Sequence, residues 1–237
     1  MKKPVFANNE IYHIINRGVD KRKIFLNDKD YLRFIHDLFE FNDEAPAENI
    51  YYKSTNIESY EVKPRKMKER KLLVDILIFC LMPNHFHLIL KQRKDNGIAR
   101  FMQKLGTGYT MSFNKKYKRA GSLFQSTYNA ILIDKQNYFL NLPYYIHLNP
   151  LDPEFPEWRD RKMKDYNKAI EYLNNYRWSS HLDYCGKRNF PSVTNREFLL
   201  DVFGGEENYK KDINKWLKEM EIYNIQDIIL EPQILRG

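Results

Sequence analysis

Cysteines and long apolar runs are scarce in this sequence of 237 residues. The two cysteines, Cys80 and Cys185, are too few for a disulfide framework. The most apolar stretch, residues 72–90, is interrupted by Asp75, Pro83 and two histidines, so it falls short of the roughly 20 apolar residues that a membrane-spanning helix needs. The N-terminal residues include two lysines, but no apolar segment typical of a secretory signal follows them. These absences predict a cytoplasmic protein without a membrane partner.

Apolar and aromatic residues are abundant enough to form a core. Hydrophobic residues make up 43% of the chain and aromatic residues 15%, whereas chains that stay unfolded are poor in both. The length favours one domain, or one domain with an appendage.

Positive charge is concentrated in one segment. Residues 91–121 hold nine of the 39 Lys and Arg residues but one of the 31 Asp and Glu residues, so the whole net charge of +8 lies there. Such a segment would attract a polyanion, although a solvated helix face is the alternative reading. The candidate polyanion-binding residues are Lys91, Arg93, Lys94, Arg100, Lys104, Lys115, Lys116, Lys118 and Arg119.

Hydrophobic periodicity predicts four strands and three helices in the first 150 residues. The strands are predicted over residues 10–16, 72–81, 85–91 and 123–133, and the helices start near Asp28, near Ile98 and at Asp134. Asp28 and Asp134 are the predicted N-caps. The order of these elements favours an α+β fold with a four-stranded antiparallel sheet covered by helices, close to the ferredoxin-like arrangement.

A change of composition after Pro150 divides the chain. Residues 1–150 are predicted to form the main domain, with residues 42–70 as a long loop or insertion that lacks periodicity. Residues 151–237 are predicted to form a C-terminal, mostly helical appendage, with one helix over residues 208–222.

His85 and His87 form a candidate metal-binding pair. They flank Phe86 at the start of a strand, where the period of two sends both imidazoles to one face and the phenyl ring to the other. Two neutral imidazoles can chelate a divalent metal, but the same pattern also arises by chance from two ordinary histidines.

Tyr145 and Asn149 form a second candidate element. A spacing of four places them on one helical face, so that the Asn149 amide oxygen could complete a metal site beside the tyrosine hydroxyl. The alternative is that Tyr145 is a core aromatic residue. His147 lies about 200° round the helix from Tyr145 and is expected to be structural.

Five segments resemble, in order, the motifs of one family. They are YHIINRG at 12–18, MPNHFHL at 82–88, GSLFQ at 121–125, YIHLNP at 145–150 and YRWSS at 176–180. The chain resembles the single-tyrosine HUH transposases, and most of all the REP-associated tyrosine transposases of the IS200-like superfamily. It departs from their pattern in the long insertion 42–70, in Pro143 and in the loose match of residues 189–237.

The resemblance implies an enzyme that cleaves and rejoins single-stranded DNA near hairpins. In the family, the tyrosine attacks the DNA and a divalent metal polarises the scissile phosphate, which assigns Tyr145 as the nucleophile and His85, His87 and Asn149 as ligands of Mg²⁺ or Mn²⁺. The product would be a 5′-phosphotyrosine link. The basic segment 91–119, together with Arg17, would contact the DNA backbone.

Three other functions stay open at this point. The first is a metal-dependent nuclease that activates water instead of Tyr145, and the second is a domesticated, non-catalytic protein that binds hairpin DNA. The third is an RNA-binding module on a four-stranded sheet, which lacks an obvious stacking strand in this sequence. The sequence also leaves open whether the protein is a monomer or a homodimer.

Overall fold

A four-stranded antiparallel sheet forms the centre of the protein. The computed structural model describes residues 4–46, 70–160 and 162–219. The strands are β1 (Ile11–Arg17), β2 (Val74–Met82), β3 (His85–Gln92) and β4 (Asn129–Leu132), in the order β2-β3-β1-β4. Helices α1 (Asp28–Glu40) and α2 (Gly97–Lys116) follow β1 and β3. The ferredoxin-like α+β fold predicted from the sequence is therefore confirmed.

Both faces of the sheet are buried, and the alternation of side chains along the strands separates two apolar cores. The first face packs against α1 and α2 through residues such as Phe34, Phe86 and Phe101. The helices approach closely because Gly108 of α2 has no side chain: a Cβ there would lie 2.5 Å from the Phe41 ring. Among the described residues, no helix is both long and apolar enough to cross a membrane.

The second face packs against α3 (Gln136–Leu148) and the C-terminal helices. These are α4 (Tyr166–Asn175), α5 (His181–Tyr184), α6 (Glu197–Phe203) and α7 (Glu206–Glu219). Their apolar side chains share one core with α3 and with β2 residues such as Leu77 and Cys80. The helix predicted at 208–222 is confirmed as α7 over its described part, whereas α4, α5 and α6 are not anticipated by the sequence analysis.

The chain after α4 also pairs with the outer edge of β2. The Leu81 amide donates to the Trp178 carbonyl at 2.9 Å, and the Ser180 amide donates to the Phe79 carbonyl at 2.9 Å. Residues beyond Pro150 thus contribute directly to the sheet edge. The boundary at Pro150 stays a prediction, and residues 47–69 of the predicted insertion and residues 220–237 lie outside the described part of the chain.

Three predicted boundaries are wrong. The strand predicted over 123–133 is limited to the four residues of β4. Leu123 and Phe124 lie in a loop and are buried because they pack on the first core. An isolated β-bridge joins Phe124 of this loop to Gly18. The N-cap of α1 is Asn27, not Asp28, and its amide donates to the Asp30 carboxylate at 3.2 Å. Helix α3 is preceded by Lys135 as its N-cap, not by Asp134, and continues through Pro143.

Candidate active site

The two histidines of β3 project from the second face of the sheet, as their spacing predicts. His85 and His87 are both buried, and their rings are 4.9 Å apart and nearly perpendicular. In the antiparallel register, Arg17 of β1 lies opposite His85, and Ile15 lies opposite His87. Since cross-strand partners project to the same face, Arg17 belongs to the same end and the same face of the sheet as the histidine pair.

Hydrogen bonds orient both imidazole rings. His85 Nδ1 lies 2.7 Å from Asn84 Oδ1, and because that oxygen only accepts, Nδ1 carries the proton and Nε2 the lone pair of the neutral ring. His87 Nδ1 lies 3.1 Å from His13 Nε2, and His13 Nδ1 lies 3.2 Å from the Tyr138 hydroxyl. Partners of this kind fix the tautomer and direction of metal-binding histidines. The sequence analysis did not identify His13 or Tyr138.

Helix α3 presents Tyr138, Tyr145 and Asn149 on one side. Tyr138 and Tyr145 are seven residues, or about two turns, apart, so the contact of Tyr138 with His13 indicates that this side of α3 faces the second face of the sheet. Tyr145 is 1% exposed. Asn149 is fully buried and opens a short 3-10 turn, Asn149–Leu151, that continues from α3.

Arg159 joins Tyr145 to Asn149. Its Nη1 donates to the Tyr145 hydroxyl oxygen at 2.6 Å, and its Nη2 donates to Asn149 Oδ1 at 2.7 Å. Burial lowers the pKa of Arg159, but the hydrogen bonds to Asp152 and Tyr145 and the negative charge of Asp152 raise it overall, so the guanidinium stays protonated. Arg159 was missed from sequence because a single arginine in a charged run carries no recognisable pattern.

The neighbouring tyrosine has the opposite electrostatic environment. The Tyr144 hydroxyl donates to Asp212 Oδ2 at 3.1 Å. Burial and the Asp212 carboxylate raise the pKa of Tyr144, because both disfavour a phenolate. Of these two adjacent tyrosines, Tyr145 is therefore the one whose oxygen faces a cation.

His147 points away from Tyr145 and is structural, as predicted. Its Nε2 lies 2.8 Å from Ser180 Oγ, and its Nδ1 lies 2.7 Å from the Tyr209 hydroxyl. Complete burial lowers the pKa of His147 well below its usual value, so the ring is neutral and holds α3 against α7.

The predicted metal ligands form a small donor set. No group of three or more His, Cys, Asp and Glu side chains in the described ranges is arranged to hold a metal ion, so the candidate site consists of two imidazoles and one amide. The two imidazoles fit, because each ring is oriented by a contact at Nδ1 and a metal would bind at Nε2. Asn149 also fits: its oxygen has a second lone pair beyond the one that accepts from Arg159.

Most of the predicted basic residues form contacts within the protein. Lys94 and Arg100 lie near the Glu44 carboxylate, at 2.7 and 3.9 Å, and Lys116 lies 2.5 Å from Asp30. Other contacts are from Lys104 to the Asp43 and Ala45 carbonyls, from Arg93 to Asp75, from Arg119 to Asn114 and from Lys91 to the Phe198 ring. The carboxylate partners offset the charge of Arg93, Lys94, Arg100 and Lys116, whereas the neutral partners of Lys91, Lys104 and Arg119 only restrict the positions of these side chains.

Lys115 and Lys118 are exposed near the end of α2, and neither has an acidic partner among the described residues. Beside α2 lies a groove of about 490 Å³. Its walls include Gly106, Thr107 and Thr110 of α2, and Phe124, Ser126 and Thr127 of the loop before β4. The same loop borders the end of β1, since the Gln125 amide donates to the Arg17 carbonyl at 2.8 Å.

Comparison with known proteins agrees with this arrangement. Residues 48–149 match the family described as "Transposase IS200 like". The comparison with curated proteins gave no match. A solved structure of a REP-associated tyrosine transposase bound to a REP hairpin has the same fold: the TM-score is 0.52 at 11% sequence identity, and the match covers 81% of this chain and 89% of that one.

The family match includes both histidines, Tyr145 and Asn149. The resemblance predicted from five sequence motifs is therefore confirmed: residues 48–149 are similar to the IS200-like transposases, and the chain has a fold similar to that of a REP-associated tyrosine transposase.

Proposed function

We propose that this protein cleaves and rejoins single-stranded DNA near hairpins through a covalent link to Tyr145. The observation that supports the proposal is that Tyr138 of α3 contacts His13 on the sheet face that holds His85 and His87, and Tyr145 and Asn149 follow on the same side of α3 as Tyr138. The family match supports a transposase, and the structurally similar transposase is bound to a hairpin.

The proposed site has two kinds of residue, the ligands of a metal and the nucleophile. A divalent metal held by His85, His87 and Asn149 would polarise the scissile phosphate and offset its charge. Tyr145 attacks that phosphate and forms a 5′-phosphotyrosine link, which leaves a free 3′-hydroxyl for the later rejoining step. Imidazole ligands favour Mn²⁺, whereas phosphoryl transfer commonly uses Mg²⁺, so both ions belong in the test.

Arg17, Lys115 and Lys118 are the best-placed predicted DNA contacts. Arg17 shares the histidine face, and the two lysines lie near the end of α2. The groove between α2 and residues 122–128 borders the end of β1. A single strand of DNA lying in this groove would therefore lead to Arg17. The remaining basic residues of segment 91–119 would contribute less, since their side chains are held by contacts within the protein, several of them with carboxylates.

The test is a denaturing gel of the protein with end-labelled hairpin DNA and Mg²⁺ or Mn²⁺. We expect DNA to migrate with the polypeptide in the wild type and after Tyr144→Phe, but not after Tyr145→Phe or with excess chelator. Tyr144→Phe is the matched control, because it removes a buried hydroxyl one position away. Cleavage without any adduct would indicate a water-activating nuclease, and hairpin binding with neither would indicate a non-catalytic DNA-binding protein.

A further inference from the structure

Arg159 contacts both the proposed nucleophile, Tyr145, and the proposed amide ligand, Asn149. One nitrogen of its guanidinium lies 2.6 Å from the Tyr145 oxygen, which is the attacking atom of the proposed reaction. Another lies 2.7 Å from Asn149 Oδ1. The guanidinium carbon also lies 5.0 Å from the centre of the Tyr145 ring.

Asp152 fixes the direction of the guanidinium. Its carboxylate accepts from Arg159 Nε and Nη2, both at 2.7 Å, and also accepts from the Trp158 indole at 2.7 Å. This two-point contact directs Nη1 towards Tyr145. Because charge-assisted, bidentate bonds are strong and directional, the position of the cation is set before any substrate arrives.

We propose that Arg159 is a further catalytic residue of the strand transfer, stabilising negative charge on the Tyr145 oxygen; this inference rests on the function proposed above. In cleavage, the Tyr145 oxygen bonds to phosphorus as the bond from phosphorus to the 3′ oxygen breaks. The phenol proton passes to solvent, and the 3′ oxygen takes a proton to become a hydroxyl. In rejoining, the 3′-hydroxyl gives up its proton to solvent and attacks phosphorus as the bond from phosphorus to the Tyr145 oxygen breaks, and the Tyr145 oxygen then takes a proton from solvent. Arg159 stabilises the anionic Tyr145 oxygen before attack in cleavage and as the leaving group in rejoining.

The chemistry of arginine limits this role to electrostatics. A guanidinium keeps its proton in proteins, so Arg159 neither takes the proton of Tyr145 nor returns it. It supplies a fixed positive charge at an oxygen that is anionic once its proton has left before attack, and again when it departs from phosphorus in rejoining. Tyr144, whose hydroxyl faces Asp212, has no such stabilisation.

The test compares the single-turnover rate of adduct formation in the full-length wild type, Arg159→Ala, Arg159→Lys and Arg196→Ala. Arg196 is the matched control: it is half-buried, and its guanidinium donates to the Pro191 carbonyl at 3.1 Å. Each protein is examined for folding by circular dichroism and for affinity to the same DNA hairpin. Arg159→Ala is then supplied with guanidinium ion at a non-denaturing concentration, or with neutral urea at the same concentration.

We expect Arg159→Ala to form adduct about 100-fold more slowly, as for the loss of one donor to a developing negative charge, with unchanged hairpin affinity. Guanidinium, but not urea, should restore part of the rate, which a purely structural role does not predict. Arg159→Lys should react at least tenfold more slowly than wild type, because an ammonium cannot keep the bidentate contact with Asp152 and reach Tyr145 as well. That variant serves if Arg159→Ala does not fold.

A wild-type rate in Arg159→Ala or in Arg159→Lys overturns the inference. A slow Arg159→Ala that guanidinium and urea leave equally unchanged also overturns it. Failure of the proposed function itself is distinguishable, because the wild type would then form no adduct with either metal.

Discussion

Lowering the pH should loosen the attachment of the C-terminal helices to α3 through His181. This ring is fully enclosed: its Nδ1 lies 3.0 Å from the Tyr209 hydroxyl, the Cys185 sulfur lies 3.6 Å from its Nε2, and the His147 ring packs at 5.8 Å. Burial, followed by the nearby charge of Lys187, lowers the pKa of His181 to about 4.

The size of this loss of stability follows from the difference in the pKa of His181 between the folded and unfolded states. The unfolded chain binds a proton at His181 near pH 6.5, whereas the folded chain resists it until about pH 4. This contribution to stability is therefore fully present above about pH 6.5 and is lost as the pH falls towards 4. For this one residue, the free energy of unfolding should fall by roughly 2 kcal/mol between about pH 7 and about pH 5.

Urea unfolding followed by circular dichroism measures this loss. Wild type and His181→Gln should be compared at both pH values, because carboxylates that titrate in the same range contribute equally to the two proteins. We expect the wild type to lose about 2 kcal/mol more than the variant over this interval. Equal losses in the two proteins would refute the reasoning, since they would mean that His181 binds its proton alike in the folded and unfolded chains.

Two matched pairs of variants test the basic surface and the helix packing. Lys115→Gln should reduce the slope of log K against log salt for hairpin DNA by about 0.7, and Lys116→Gln by less, because Asp30 already neutralises Lys116; equal reductions would contradict this. Gly108→Ala should lower the free energy of unfolding by about 1–3 kcal/mol, because its Cβ would overlap the Phe41 ring. Gly106→Ala on the same helix meets nothing within 4 Å and should instead stabilise the protein by up to about 1 kcal/mol in thermal or urea unfolding.

The architecture of the sheet was predictable from local patterns. The period of two around Phe86 sends His85 and His87 to one face, and the order of strands and helices gives the antiparallel topology. The pattern was misleading before β4, where Leu123 and Phe124 are apolar because they cover the first core from a loop. Apolar residues that are buried from a loop therefore gave the same sequence pattern as a β-strand.

The surroundings of the candidate site were not predictable in the same way. Arg159 reaches Tyr145 from a segment that the composition assigns to the C-terminal appendage, and His13 contacts His87 from the neighbouring strand β1. Likewise, the sequence predicted that all basic residues of segment 91–119 can bind a polyanion, but Glu44 and Asp30, which are distant in sequence, form ion pairs with two of them, Lys94 and Lys116. Contacts of this kind depend on the packed fold and leave no periodic trace in the sequence.

The pairing of residues 178–180 with β2 also has a consequence for synthesis on the ribosome. An edge strand with open amide and carbonyl groups is a template for other strands and hence a starting point for aggregation. Ser180, which covers this edge at Phe79, is made 101 residues later. A nascent chain therefore carries an open β2 edge until most of the protein has been translated, and truncation before Trp178 would leave that edge open permanently.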